Sequence, residues 1–169
     1  MGRHITIFGL LALLGLVCAS AMAADDTVVT ITVDYVDLLQ VPATRALTLT
    51  ATTPGEANYA EDTKTDVDGF LYSHNSTASK KITAVAVADG GNSANDITLT
   101  AQVEGQAEQT VVNAGTDVVG GAVVWTGIAA GGYTKDLVWT ANGTLAGTKA
   151  GAGIDKDYIW TVTFTSADA

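Results

Sequence analysis

The chain is poor in cysteine, proline and basic residues, and each shortage excludes a class of protein. Its only cysteine, Cys18, lies in an N-terminal apolar run, so a chain processed after that run has no disulfide and no thiolate for catalysis or metal binding. Two prolines exclude a proline-rich linker. Eight basic residues stand against 18 acidic ones, for a formal net charge of −10. Such a surface repels nucleic acid and anionic lipid, so neither is an expected partner.

Catalytic motifs are also lacking. Beyond the N-terminal run the sequence has one histidine, His74, and no G-x-S-x-G or HExxH pattern. The sequence identifies no base or ligand as a partner for His74, and we expect a polar residue at the end of a strand. We therefore expect neither enzyme activity nor a cofactor.

Residues 1–23 have the three-part build of a secretory signal. A positive charge at Arg3 is followed by an apolar run from Ile5 to Val17 and by the small-x-small tripeptide Ala21-Met22-Ala23. The run is too short to span a bilayer. We expect cleavage after Ala23, export of the remaining chain and no membrane insertion after cleavage.

The exported part is rich in short runs of alternating apolar and polar residues, which predict β-strands. Turn-forming clusters such as "DGGNSAND" and "AAGGY" separate them. No sustained helical periodicity and no fixed-period repeat is present. About eight strands at this turn density predict one all-β domain, an immunoglobulin-like antiparallel β-sandwich. The predicted strands are Thr27–Tyr35, Ala46–Thr52, Gly69–Ser73, Lys80–Ala88, Asp96–Glu104, Ala122–Gly127, Lys135–Ala141 and Asp157–Thr165.

Three tryptophans, Trp125, Trp139 and Trp160, each fall within a predicted strand. A sandwich without disulfides needs bulky side chains to fill its core, and each indole buries roughly 150 to 250 Å². We expect all three in the core rather than on a sugar-binding surface.

The acid-rich stretch Glu56–Asn75 is the best place to look for a metal. Asp66 and Asp68, followed by Gly69, match the middle of a calcium-loop pattern in which carboxylates alternate before a turn glycine. Both ends of that pattern fail, because Lys64 and Asn75 occupy the outer ligand positions. A solvated acidic loop is the favoured interpretation, and no metal site is predicted beyond these two weak candidates.

The first predicted strand raises the question of where its apolar face is buried. Val29, Ile31 and Val33 alternate with polar residues, so one face is apolar. That face packs either within the chain's own sandwich or against another molecule. The alternation alone does not distinguish the two.

Several stretches resemble the major subunits of the class 5 (alpha) chaperone-usher fimbriae, the CFA/I and CS1 group. The opening "TVVTITVDYVDLLQ" is similar to the start of those subunits, "YSHNSTASKKITAVAVAD" to a central segment, and "DYIWTVTFT" to their terminal strand. The resemblance covers about a third of the chain. Tyr35 stands where the family has a proline.

This resemblance implies an incomplete sandwich that receives the N-terminal strand of the next subunit. Residues 24–35 would be the donor segment, with Val29, Ile31 and Val33 inserted in the neighbour, and residues 36–169 the sandwich. The implied function is a structural subunit of a fimbria that serves surface adhesion or biofilm. Implied partners are copies of itself, a periplasmic chaperone and an outer-membrane usher, and the implied location is the cell surface, reached through the periplasm. The alternative is a monomeric secreted binding module, with calcium as its most plausible ligand.

Overall fold

The fold is known from a computed structural model, which describes residues 30–88, 96–117, 120–148 and 157–169. The predicted signal, residues 1–23, and Val29 lie outside these residues. The chain divides into two compact units, residues 1–33 and residues 34–169. Of the first unit only residues 30–33 are described, and they form no strand.

The second unit is an all-β, sandwich-like fold of antiparallel sheets, which confirms the predicted fold class. The described residues contain no helix. The nine strands are β1 (Asp37–Gln40), β2 (Asp62–His74), β3 (Lys80–Ala88), β4 (Thr98–Val103), β5 (Gln109–Asn113), β6 (Thr116–Asp117), β7 (Ala122–Ile128), β8 (Gly131–Asn142) and β9 (Trp160–Asp168).

The strands form a larger and a smaller sheet. The larger sheet has six strands in the order β1-β2-β8-β4-β5-β6, and the smaller has three in the order β7-β3-β9. The chain crosses between the sheets on both sides of β3, on both sides of β7 and from β8 to β9, whereas β1–β2 and β4–β5–β6 stay within the larger sheet. In the smaller sheet β3 is central, and β9 pairs with β3 alone.

The core lies between the two sheets, and strand alternation decides which side chains reach it. In β3, Ile82, Ala84 and Ala86 are buried while Val85 and Val87 face outward. Phe70 of β2 is fully buried and packs its ring against Trp125 and Phe164, with centroids 6.1 and 5.8 Å away. Aromatic packing therefore joins β2 of one sheet to β7 and β9 of the other.

Two of the three tryptophan predictions are confirmed outright. Trp125 and Trp139 are each only 8% exposed. Trp160, the first residue of β9, is half-buried and packs against the core from the edge of the smaller sheet.

Two predicted strands differ from the structure. The segment Ala46–Thr52 is not a strand, because only Thr50 pairs, through a single bridge to Ala60. Leu47 and Leu49 still point toward the core, so the alternation correctly marked a half-buried segment but not a hydrogen-bonded one. Likewise Thr30–Val36 form no ladder, and the first strand starts at Asp37.

Candidate functional site: an open sheet edge above an apolar groove

A groove of about 760 Å³ lies at the start of β9, the edge strand of the smaller sheet. One wall is the irregular segment Arg45–Thr50, and the other is Asp157–Trp160, which leads into β9. The floor comes from the larger sheet, through Ile97 and Leu99 at β4 and Ala141 of β8. Thr148 and Tyr59 close one end. Residues of β4, β8 and the start of β9 therefore line the groove together with two irregular segments.

The wall Arg45–Thr50 is held by side chains of β2 and not by a backbone ladder. The Thr48 N–H donates to Asp62 Oδ2 at 2.7 Å. Arg45 forms an ion pair with Asp66, with its Nε 3.3 Å from Asp66 Oδ2. The hydrogen bond from Thr48, followed by contacts with Lys64, holds the pKa of Asp62 below its ordinary value. Most backbone N–H and C=O groups of Arg45–Thr50 are therefore not paired in a sheet.

The closed end of the groove is organised around Asp96. Its carboxylate accepts from the Thr144 N–H, at 3.0 and 3.1 Å to the two oxygens, and from the hydroxyls of Thr144 and Thr148. Burial alone would raise the pKa of Asp96, but these hydrogen bonds outweigh it and lower the pKa. The Tyr59 hydroxyl donates to the Thr148 carbonyl at 3.0 Å. One carboxylate therefore fixes the turn that bounds the groove.

The opposite wall leads into β9, whose edge is open and whose first residue, Trp160, lines the groove. In an antiparallel pair the backbone groups of alternate residues point away from the partner strand, and β9 has no second partner among the described residues. Trp160 lines the groove, and its indole N–H is buried without a hydrogen-bond partner in the part of the chain the structure describes. The edge strand from Trp160 to Ala167 contains no charge, proline or bulge of the kind that blocks strand addition.

The predicted donor residues are partly described. Ile31 and Val33 are 81% and 77% exposed, among the most exposed large apolar side chains of the described residues. Val29 lies outside the described residues. The two apolar side chains that are described therefore present their surface to solvent.

Asn75, directly after β2, fixes the backbone at the start of the second unit. Its Nδ2 donates to the Asp34 carbonyl at 2.6 Å, and its Oδ1 accepts from the Val36 N–H at 2.8 Å. The Asn75 N–H also donates to the Val36 carbonyl at 3.2 Å. Three hydrogen bonds therefore define the path of the chain just before β1.

A polar cluster beside Asn75 surrounds Lys80, which is only 6% exposed. Its Nζ lies 2.8 Å from Asp168, 3.4 Å from Asp37 and 5.6 Å from the centroid of the Tyr35 ring. The hydrogen bond with Asp168 is the largest cause that raises the pKa of Lys80 well above its ordinary value. Asp37 also accepts from the hydroxyls of Tyr35 and Ser166, at 3.0 and 3.2 Å. The cluster joins β1, β3 and β9 at one end of the sandwich.

His74 ends β2, as the sequence predicted, but it is buried rather than exposed. It is 3% exposed and stacks on Tyr72, with ring centroids 5.3 Å apart, and neither ring nitrogen has a hydrogen-bond partner among the described residues. Without a second ligand or base it supplies no chemistry that the structure identifies.

The calcium candidates Asp66 and Asp68 have different surroundings and do not form one site. Asp66, 6% exposed, is occupied by Arg45, whereas Asp68 is exposed and adopts a positive φ of 52° at the bulge before Phe70. Across the described ranges no three His, Cys, Asp or Glu side chains are grouped so that they could hold a metal ion. A shallow depression in the same acidic stretch, lined by Glu56–Ala60, has a volume of about 240 Å³.

The chain was compared with known proteins and searched for membrane-spanning helices. Comparison of the chain with protein-family models, curated proteins and solved structures found no match. No helix among the residues described is long and apolar enough to cross a membrane. The site therefore has to be interpreted from its own geometry.

Proposed function

We propose that this chain is a structural subunit of an extracellular fibre, assembled when residues 27–33 of one copy enter the groove of the next. The observation that carries the proposal is the unpaired edge of β9, which begins at Trp160 in the wall of a groove that also exposes Leu47, Leu49 and Leu99. An edge strand without protective charges is a template for strand addition, and proteins use such edges for β-augmentation.

The groove offers what an incoming strand needs. The backbone of β9 supplies hydrogen bonds along one side, each contributing about 0.5 to 1.5 kcal/mol net. Leu47, Leu49 and Leu99 supply apolar surface, and burying a Val or Ile side chain contributes roughly 1.5 to 3 kcal/mol before ordering costs. A carbonyl of the added strand would also accept from the orphaned Trp160 indole N–H.

The donor side is equally suited to the role. Ile31 and Val33 recur with the two-residue period of a strand, and their exposed side chains are available to another copy. Val29 continues the same period in the sequence. With three residues on one face, the segment would insert three β-branched side chains into the neighbouring groove.

The proposed location and assembly partners are those that the sequence resemblance implies. The protein would be exported by its N-terminal signal and assembled at the cell surface for adhesion or biofilm. A periplasmic chaperone and an outer-membrane usher would protect and order the exposed edges before polymerisation. No catalysis is required of any residue.

A pair of substitutions in the donor segment tests the proposal. Ile31→Asp should abolish fibres and detergent-resistant ladders, because an unpaired carboxylate would enter an apolar groove. Thr32→Asp is the matched control, since Thr32 lies on the opposite face of the same segment and should leave assembly intact. Normal fibres from the Ile31→Asp chain, seen by electron microscopy and on gels, would contradict the proposed donor role.

A mixing experiment tests the acceptor groove. Leu47→Asp should block acceptance but not donation, so neither it nor Ile31→Asp should polymerise alone. Mixed together they should form heterodimers and nothing longer, because the only productive joint has Leu47→Asp as donor and Ile31→Asp as acceptor. Circular dichroism checks that both variants are folded. Failure of folded partners to pair would rule out this groove as the acceptor.

A further inference from the structure

The outer face of the smaller sheet is uncharged over most of its area. Val85 and Val87 of β3 and Val123 of β7 are 37%, 57% and 44% exposed. The exposed threonines of β9 lie beside them, Thr163 opposite Val85 and Thr161 opposite Val87 in the strand register. The only outward charge on these three strands is that of Lys81.

The outer face of the larger sheet differs in that it carries charged side chains. On the outer face of the larger sheet, Asp136 lies in β8 and accepts from the Asp68 N–H at 2.9 Å, and Glu108 accepts from Thr100. The chain as a whole has a formal charge of −10. Two copies therefore repel each other least when these Val/Thr faces meet.

We propose that the outer Val/Thr face of the β7-β3-β9 sheet is a contact surface between two copies of this chain. This contact uses a face other than the β9 edge and does not depend on strand donation. Back-to-back packing of the two faces buries the valines of both copies. It excludes the acidic faces from the interface.

The size of the face sets the strength of the contact. The nine residues of β3 span about 30 Å, and three strands about 4.8 Å apart span about 14 Å, giving roughly 400 Å² per copy. A stable pair of proteins buries about 800 Å² on each side. The contact is therefore weak between two single subunits. If the subunits form fibres as proposed, it is repeated along each fibre and holds fibres side by side by multivalency.

The charges at the ends of the face favour a two-fold arrangement. Lys81 lies at one end of the face, and the exposed Asp157 lies before β9 at the other. Asp168, near Lys81, is already paired with Lys80. A two-fold axis that lies in the interface and runs perpendicular to the strands brings Lys81 of each copy over the Asp157 end of the other.

Chemical cross-linking tests this contact in the chain that begins at Ala24, which has no cysteine. Stacked sheets lie about 10 Å apart, too far for a disulfide, so a bis-maleimide of about that span is the appropriate reagent. Val85→Cys should yield at least about tenfold more linked dimer than Thr134→Cys, a control on the outer face of the larger sheet. This ratio corresponds to a preference of about 1.4 kcal/mol for the Val/Thr face. Equal yields from the two positions would overturn the proposal.

Further variants separate this contact from strand donation. Cross-linking through Val85→Cys should persist in the Ile31→Asp chain, whereas loss of the linked dimer there would show that the contact is not independent. Because Asp157 also lines the groove, the charge test is made in the Ile31→Asp chain, where no strand should be donated: Lys81→Glu should reduce the yield there, and Lys81→Glu combined with Asp157→Lys should restore it. If the double variant links no better than the single one, the two-fold arrangement is wrong.

Discussion

Asp96 holds the closed end of the groove, and its replacement by alanine should measurably destabilise the fold. The carboxylate accepts from the Thr144 N–H and from the hydroxyls of Thr144 and Thr148. A hydrogen bond to a charged group contributes about 1.5 to 3 kcal/mol. Thr148 is only 5% exposed and loses its partner outright, whereas the half-buried Thr144 regains water. We therefore expect Asp96→Ala to cost about 2 to 4 kcal/mol, below the sum for three full hydrogen bonds.

Urea unfolding at neutral pH, followed by tryptophan fluorescence, measures this loss, because Trp125 and Trp139 report on the core. Glu61→Gln is the control, since Glu61 is exposed and should change the free energy of unfolding by less than about 0.5 kcal/mol. A loss for Asp96→Ala no greater than that of the control would refute the assignment of this carboxylate as the anchor of the turn.

The same carboxylate predicts a direction of pH dependence. The pKa of Asp96 is lower in the folded chain than in the unfolded one, so the folded state binds fewer protons. Its stabilising effect is complete above the unfolded pKa, near pH 4, and is lost as the pH falls through the folded pKa. The difference between the original chain and Asp96→Ala should therefore shrink on acidification below about pH 4.

Two further substitutions test the packing. In Gly147→Ala the added Cβ would clash with the Asp96 side chain, and the forced shift of the turn should cost about 1 to 3 kcal/mol in urea unfolding. An unchanged midpoint would contradict this close approach. Phe70→Ala removes a fully buried ring that joins the two sheets and should lower the free energy of unfolding by about 3 to 5 kcal/mol. Phe70→Leu should lower it by less, and near-ultraviolet circular dichroism and thermal melting measure both variants. Equal losses of stability in the two variants would count against the aromatic contacts.

Strands with regular alternation were predicted well from the sequence. The prediction for β3, Lys80–Ala88, matches the structure at both ends, because buried and outward side chains alternate without interruption. The strands β5 and β6 were missed. They are joined by Ala114 and Gly115, both with positive φ, and alanine in that conformation gives no turn signal of the Asn-Gly kind.

The candidate site was predictable only in part. The alternation at Ile31 and Val33 identified an apolar face, but the groove depends on the failure of Arg45–Thr50 to form a ladder with its neighbours. A pattern of side chains says which residues turn inward and does not say whether the backbone is paired. The sequence also did not predict the ion pair between Asp66 and Arg45, which are 21 residues apart. This ion pair gives Asp66 a structural contact that the calcium-loop pattern did not indicate.

The strand β9 brings these features together, because each of its surfaces has a separate role. Its inner residues, Val162 and Phe164, pack on the core, and its threonines cover the outer face. Its edge away from β3 is unpaired among the described residues, and its first residue, Trp160, lines the groove. An exposed edge that carries no charge from Trp160 to Ala167 is an aggregation hazard unless something occupies it. In a chain with a formal charge of −10, repulsion disfavours contacts between charged surfaces, and the two proposed contacts therefore both use the edge and the outer face of this one sheet.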